Sequence, residues 1–87
     1  MTKEEFLRRF KEENINLEDY MLILDKISNA SLVLGCAYDE GVWKVYETTE
    51  RTGHFVIKEF DNEDEAFDYF YEVVKIQHNY TTKNFYL

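Results

Sequence analysis

The segment SLVLGCAYDEGVWKVYETT, residues 31–49, decides the fold. Its first part, Ser31 to Tyr38, is apolar on both faces of an extended chain, which is typical of a strand covered by its neighbours. Asp39 to Gly41 then supply turn residues, and Val42 to Thr49 follow as a second extended run. The sequence therefore predicts a β-hairpin in this region.

A third strand follows the hairpin. Residues 50–53, ERTG, have turn chemistry, and the strand His54 to Phe60 comes next, with Phe55 and Ile57 on one face. Because both connections are short, each strand should pair with the next one in the opposite direction. We expect a three-stranded antiparallel meander.

Two helices are predicted before the strands. Thr2 and Glu5 have the spacing of a capping box, and apolar residues recur at helical spacing up to about Glu13. Asn14 or Asn16 should end this first helix. A second helix is expected from Leu17 to about Ser28, because its apolar residues fall at positions i, i+3, i+4 and i+7: Tyr20, Ile23, Leu24 and Ile27.

A third helix is predicted after the strands. Asn62 and Glu65 form a second capping-box pattern, which opens a helix from Glu63 to about Gln77. The last ten residues, HNYTTKNFYL, fit either a loop or a short edge strand. The whole order is ααβββα, an α+β fold with helices packed on one sheet face, and residues 1–87 are expected to form one domain.

Composition restricts the class of protein. Seven Phe, seven Tyr and one Trp give a chain of 87 residues enough large apolar side chains for a folded core. A single cysteine excludes an internal disulfide, and the charged N-terminus has no apolar signal segment, so we expect a cytoplasmic, soluble protein. The net charge of −8 disfavours direct binding to nucleic acid, whereas it would attract a basic protein partner. No membrane span is predicted.

The acidic run from Asp61 to Glu72 resembles a calcium-binding loop only in its spacing. Ala66 stands where an EF-hand loop needs glycine, and the residues after it have helical periodicity. Cys36, His54 and His78 are too few for a structural zinc site. No catalytic residues, metal site or cofactor site are therefore predicted, and we expect that the protein is not an enzyme.

The segment from Cys36 to Val74 resembles the small bacterial immunity proteins of polymorphic and contact-dependent toxin systems. The matching features are W-x-V-Y-E at residues 43–47, E-R-x-G at residues 50–53 and F-D-x-E-x-E-A at residues 60–66. The resemblance implies a stoichiometric inhibitor that binds and neutralises a cognate toxin domain, often a nuclease. Because a nuclease site is basic, an acidic inhibitor can match its electrostatic potential.

The predicted contact surface consists of carboxylates and aromatic side chains near the strand turns and the start of the last helix. These residues are Asp39, Glu40, Trp43, Tyr46, Glu47, Glu50, Glu59, Asp61, Glu63 and Asp64. Two other functions fit the same acidic composition: a nucleic-acid mimic that inhibits a DNA-binding enzyme, and a small regulatory module that binds another protein. The protein is expected to be a monomer or a homodimer.

Overall fold

The computed structural model describes residues 1–51 and 53–85, with side chains described up to Tyr80. The elements, in chain order, are α1 (Lys3–Glu12), β1 (Met21–Ile23), β2 (Val33–Asp39), β3 (Val42–Glu47), β4 (Phe55–Phe60) and α2 (Glu63–Phe85). The strands form one sheet in the order β1-β2-β3-β4. Strand β1 runs parallel to β2, and the other two pairs are antiparallel.

The predicted hairpin is present as β2 and β3. Cys36 lies opposite Val45, and Tyr38 lies opposite Trp43. Glu40 and Gly41 both have positive φ, +53° and +84°, which is the backbone of a type I′ turn. Strand β4 pairs with β3 as expected, but a β-bulge at Ile57 shifts the register between Lys58 and Val56.

The predicted second helix is wrong, and so is the three-stranded meander. Residues 17–28 contain the short strand β1, which adds to β2 and makes the sheet four-stranded and mixed. Only one helix, α1, precedes the strands in the described part of the chain. The Asn16 side chain accepts a hydrogen bond from the Glu18 amide at 2.9 Å, and Glu18 has a φ of +54°, so Asn16 stabilises a turn here instead of a helix N-terminus.

The helical spacing of residues 17–28 has another cause. Leu22 and Leu24 pack against the core beneath the helices, whereas Ile23 and Ile27 pack against the opposite face of the sheet. Successive residues of an extended chain point to opposite faces, so a strand can supply apolar side chains to both cores. Met21 to Leu24 are therefore consecutive apolar residues because they lie at an edge strand that has an apolar core on each face of the sheet.

Both of the predicted helix N-caps are present in the structure. The Thr2 hydroxyl accepts a hydrogen bond from the Glu5 amide at 3.1 Å, and the Asn62 side chain accepts one from the Glu65 amide at 2.9 Å. Helix α1 ends before Asn14, whose φ is +51°. Helix α2 continues to Phe85, beyond the predicted end at Gln77, so residues 78–85 of the ambiguous tail are helical. The last two residues of that tail lie outside the described residues.

Buried apolar residues form a core on each face of the sheet. Beneath α1 and α2, the largest fully buried side chains are aromatic: Phe6, Phe67 and Phe70. On the opposite face Val33, Ala37 and Tyr46 are buried, with Ile23 and Ile27 packed against them. Residues 26–28 of the connection from β1 to β2 cover this second core, because Ile27 packs against it and the backbone on either side bonds to the Tyr46 hydroxyl. Among the described residues, no helix has the length and apolar character to cross a membrane.

Candidate functional site

Carboxylates gather at one end of the sheet. The end of β2, the β2–β3 turn, the end of β4 and the start of α2 meet there, because β2 and β4 both run antiparallel to β3. We call this surface the acidic end. It consists of Asp39, Glu40, Glu59, Asp61, Glu63 and Asp64, all of which belong to the predicted contact surface.

One lysine lies within the acidic end. The Lys44 ammonium is 3.0 Å from Asp39 Oδ2 and 3.7 Å from Glu40 Oε1, and its strand position faces Glu59. The hydrogen bond to Asp39 raises the pKa of Lys44, with further contributions from the nearby negative charges, so this lysine stays protonated. Of the six carboxylates of the acidic end, Lys44 forms ion pairs with two, Asp39 and Glu40.

The remaining carboxylates of the acidic end have few partners. Glu63 Oε2 accepts a hydrogen bond from the Lys3 amide at 3.2 Å, and the Met1 amino group is 3.9 Å from Asp64. Within the described residues, Glu59 and Asp61 form no ion pair, and both are exposed. Their charges are available to a partner.

An aromatic pair lies beside the acidic end. Tyr38 and Trp43 are cross-strand neighbours whose rings meet edge to face, with centroids 5.5 Å apart. Trp43 also packs against Phe67 of α2 at 5.8 Å, which fixes its position. Tyr38 is 60% exposed although its strand is otherwise mostly buried. Exposed aromatic side chains on a rigid base and next to charged groups are typical of binding hot spots in protein interfaces.

The structure separates three of the predicted contact residues from the acidic end. Glu47 and Glu50 lie towards the opposite end of the sheet, because Glu47 is four residues, about 13 Å, along β3 from Trp43. Tyr20 donates a hydrogen bond to Glu47 there at 3.4 Å. An open groove of ≈ 360 Å³ beside them is lined by Tyr20, Leu32, Thr49, Glu50 and Arg51.

Tyr46 is fully buried in the second core. Its hydroxyl donates to the Lys26 carbonyl at 2.7 Å and accepts from the Ser28 amide at 3.1 Å. Burial is the main reason that the pKa of this phenol is raised. The side chain holds the β1–β2 connection on the sheet, and no part of it is available to a partner.

Groups with catalytic potential are dispersed. Burial raises the pKa of the Cys36 thiol to about 12, so little nucleophilic thiolate exists at neutral pH. His78 Nδ1 accepts a hydrogen bond from the Asn16 amide at 2.9 Å, and His54 Nδ1 is 2.7 Å from Asn29 Oδ1. In the described part of the chain, no three His, Cys, Asp or Glu side chains are grouped to hold a metal ion.

Sequence reasoning missed two exposed features. Tyr38 belongs to the run that was predicted to be a strand covered by its neighbours, and the sequence signal that could have identified its exposure is its position directly before the turn. The second feature is at the apolar start of β4, where Phe55 and Ile57 are 47% and 37% exposed. Their exposure depends on how far the helices extend over the sheet, which no local pattern specifies.

No family model matches the chain, and no match was found among curated proteins or among solved structures.

Proposed function

We propose that the protein is an immunity-type inhibitor that binds a basic toxin domain through the acidic end and the adjoining Tyr38–Trp43 pair. The observation that carries the proposal is the exposed Tyr38 ring, packed on the half-buried Trp43, beside an acidic end in which Glu59 and Asp61 have no ion-pair partner among the described residues. Aromatic side chains can supply the buried centre of an interface, and carboxylates can supply its charged surroundings.

Electrostatics supports a basic partner. The protein has a net charge of −8, and the acidic end concentrates part of that charge on one surface. A surface potential of this kind increases the rate of encounter with a positively charged surface and disfavours acidic partners. A nuclease domain, which holds phosphates, is the proposed class of toxin.

Inhibition by binding requires no catalytic group. In this proposal the protein acts in stoichiometric amounts and in the cytoplasm, where the toxin would reach its substrate. Rigid positioning of Trp43 by Phe67 supports this mode of action, because an anchor that is already ordered loses less entropy on binding.

The test is co-expression with a candidate toxin domain, which is to be sought first in the gene upstream of this one. We expect growth to be restored and the two chains to co-purify in a fixed ratio. Tyr38→Ala combined with Asp61→Lys should weaken protection, whereas Ile76→Ala with Glu72→Lys, which changes exposed residues of α2, should not. Continued growth arrest with no complex would contradict the proposal.

A nucleic-acid mimic would be recognised in a second assay, competition with DNA. A mimic should compete with DNA for several unrelated DNA-binding enzymes, because all of them recognise the phosphate charge pattern. An immunity protein should protect against one toxin and leave the others active. Broad competition would therefore replace the immunity proposal with the mimic.

A further inference from the structure

The half-buried His78 of α2 holds the connection between α1 and β1, residues 13–20. Its Nδ1 atom accepts a hydrogen bond from the Asn16 backbone amide at 2.9 Å. Because Nδ1 is the acceptor, the ring is neutral and its proton lies on Nε2. Among the described residues, this is the one hydrogen bond that joins the backbone of residues 14–20 to α2.

This hydrogen bond lies at a part of the connection that enters the core. Ile15 and Leu17, on either side of Asn16, are 8% and 5% exposed and pack in the core beneath the helices. Glu18 has a φ of +54°, a backbone conformation that L-residues rarely adopt because it is sterically unfavourable. The bond to His78 therefore stabilises a connection that local backbone preference does not favour.

Protonation of His78 removes the acceptor. An imidazolium carries a hydrogen on each ring nitrogen and accepts no hydrogen bond, so its Nδ1–H would face the Asn16 N–H, donor against donor. Imidazole is the side chain whose charge typically changes between about pH 5 and 8. Mild acid can therefore break this contact between α2 and the connection.

Charged groups lie on the elements that meet at this contact. On α2, Lys75 lies one turn before His78, and it is paired with Glu13 at the end of α1 at 3.2 Å. On the connection, Glu18 and Asp19 are exposed carboxylates. Within the described residues, His78 forms no ion pair. The carboxylates attract a protonated ring, which favours the charged form and does not restore the lost acceptor.

His54 has the opposite arrangement. The Asn29 side-chain oxygen accepts a hydrogen bond from the His54 backbone amide at 2.9 Å and lies 2.7 Å from His54 Nδ1. An amide oxygen can only accept, so Nδ1 of His54 is a donor. Protonation adds its hydrogen at Nε2 and leaves this bond in place. Of these two histidine contacts, only the one made by His78 depends on a neutral ring.

We propose that the contact between His78 and Asn16 is a pH-sensitive switch, in which the neutral ring holds the α1–β1 connection on α2 and the protonated ring releases it. Loss of one hydrogen bond shifts a local opening equilibrium by roughly threefold to tenfold. The connection therefore opens more often in mild acid, while the sheet keeps its pairing. This inference does not depend on the proposed toxin partner.

The test is solvent exchange of the backbone amides of the full chain, measured by NMR at about pH 5 and about pH 7.5 and corrected for the intrinsic exchange rate at each pH. We expect the protection of the Asn16 amide to be roughly threefold to tenfold lower at the acidic pH. The Asn16 amide proton resonance should follow the same titration curve as the His78 ring. Amides within the β2–β3 pair, such as that of Val45, should not follow that curve.

The same substitution at each histidine provides the matched control. The side-chain oxygen of asparagine accepts hydrogen bonds and does not titrate, so His78→Asn should make the protection of the Asn16 amide independent of pH. His54→Asn should leave the pH dependence of Asn16 as it is in the wild type. The unfolding transition of each variant should be recorded alongside, to show that the chain is folded at both pH values.

A wild-type Asn16 amide whose protection and resonance do not change with the titration of His78 would overturn the proposal. A pH dependence that persists in folded His78→Asn, or that is lost in His54→Asn, would overturn it as well, because another group would then be responsible. Loss of the pH dependence in His78→Asn alone is the result that supports the switch, at whatever level the protection settles.

Discussion

Tyr46 links the sheet to the β1–β2 connection through a single hydroxyl group. Removing that hydroxyl leaves the Lys26 carbonyl and the Ser28 amide without this partner. We expect Tyr46→Phe to lower the free energy of unfolding by about 1–3 kcal/mol, measured by urea denaturation. Tyr38→Phe is the matched control, since Tyr38 is exposed, and its effect should stay within about 0.5 kcal/mol. Equal effects would contradict the role assigned to Tyr46.

Glu13 connects the end of α1 to α2. Its carboxylate accepts a hydrogen bond from the Tyr71 hydroxyl at 2.6 Å and another from Lys75 at 3.2 Å, and these bonds lower the pKa of Glu13 below its ordinary value of 4.5. A carboxylate whose pKa is lowered by folding stabilises the fold fully above the unfolded value. That contribution is lost as the pH falls through the lower, folded value.

Glu13→Gln should therefore reduce the melting temperature at pH 7 and have little effect well below pH 4.5, the ordinary pKa of the group. Glu72→Gln, at an exposed position of α2 without an ion pair in the described chain, should show no such pH dependence. A Glu13→Gln effect that is the same at both pH values would show that the interaction is not ionic.

At the scale of elements, the N-terminus of α2 depends on Asn62. Asn62→Ala removes the side-chain acceptor of the Glu65 amide and should destabilise the protein by about 1 kcal/mol. Asn79→Ala makes the same substitution at an exposed position inside α2, where alanine favours the helix by about 0.5 kcal/mol. The two variants should shift the midpoint of urea denaturation in opposite directions. Shifts of the same sign would contradict the cap.

The elements that local contacts determine were predictable from sequence. Thr2 and Asn62 cap helices through bonds to residues three positions away, and Glu40 with Gly41 closes a turn between adjacent strands. Strand β1 was not predictable in this way. Its three residues pair with Val33 to Gly35, twelve positions later, and its apolar side chains divide between two cores that exist only after the chain has folded.

The candidate site also has a part that was predictable from the sequence and a part that was not. The acidic end was predictable because its carboxylates lie at turns and element ends, which a hairpin followed by a helix brings together. Tyr46 was expected at the contact surface, but residues 26–28 cover it. Residues 26–28 belong to the connection that follows β1. Missing this one strand therefore led both to the wrong second helix and to the wrong placement of Tyr46 at the contact surface.

At the scale of the whole molecule, charge is distributed unevenly. Glu40 and Asp61 belong to the acidic end, whereas Asp25 and Glu72 are exposed carboxylates outside it. Replacing either pair by lysine changes the net charge by the same amount. A comparison of the two double variants therefore separates the effect of the acidic end from that of total charge.

The measurement that tests the central claim most directly is the association rate constant with the basic toxin domain, at low and at physiological salt. For Glu40→Lys with Asp61→Lys, we expect the rate at low salt to fall by at least about tenfold and the salt dependence to flatten. For Asp25→Lys with Glu72→Lys, the rate should fall much less and keep its steep salt dependence. Equal rates for the two double variants would contradict the assignment of the acidic end as the binding surface.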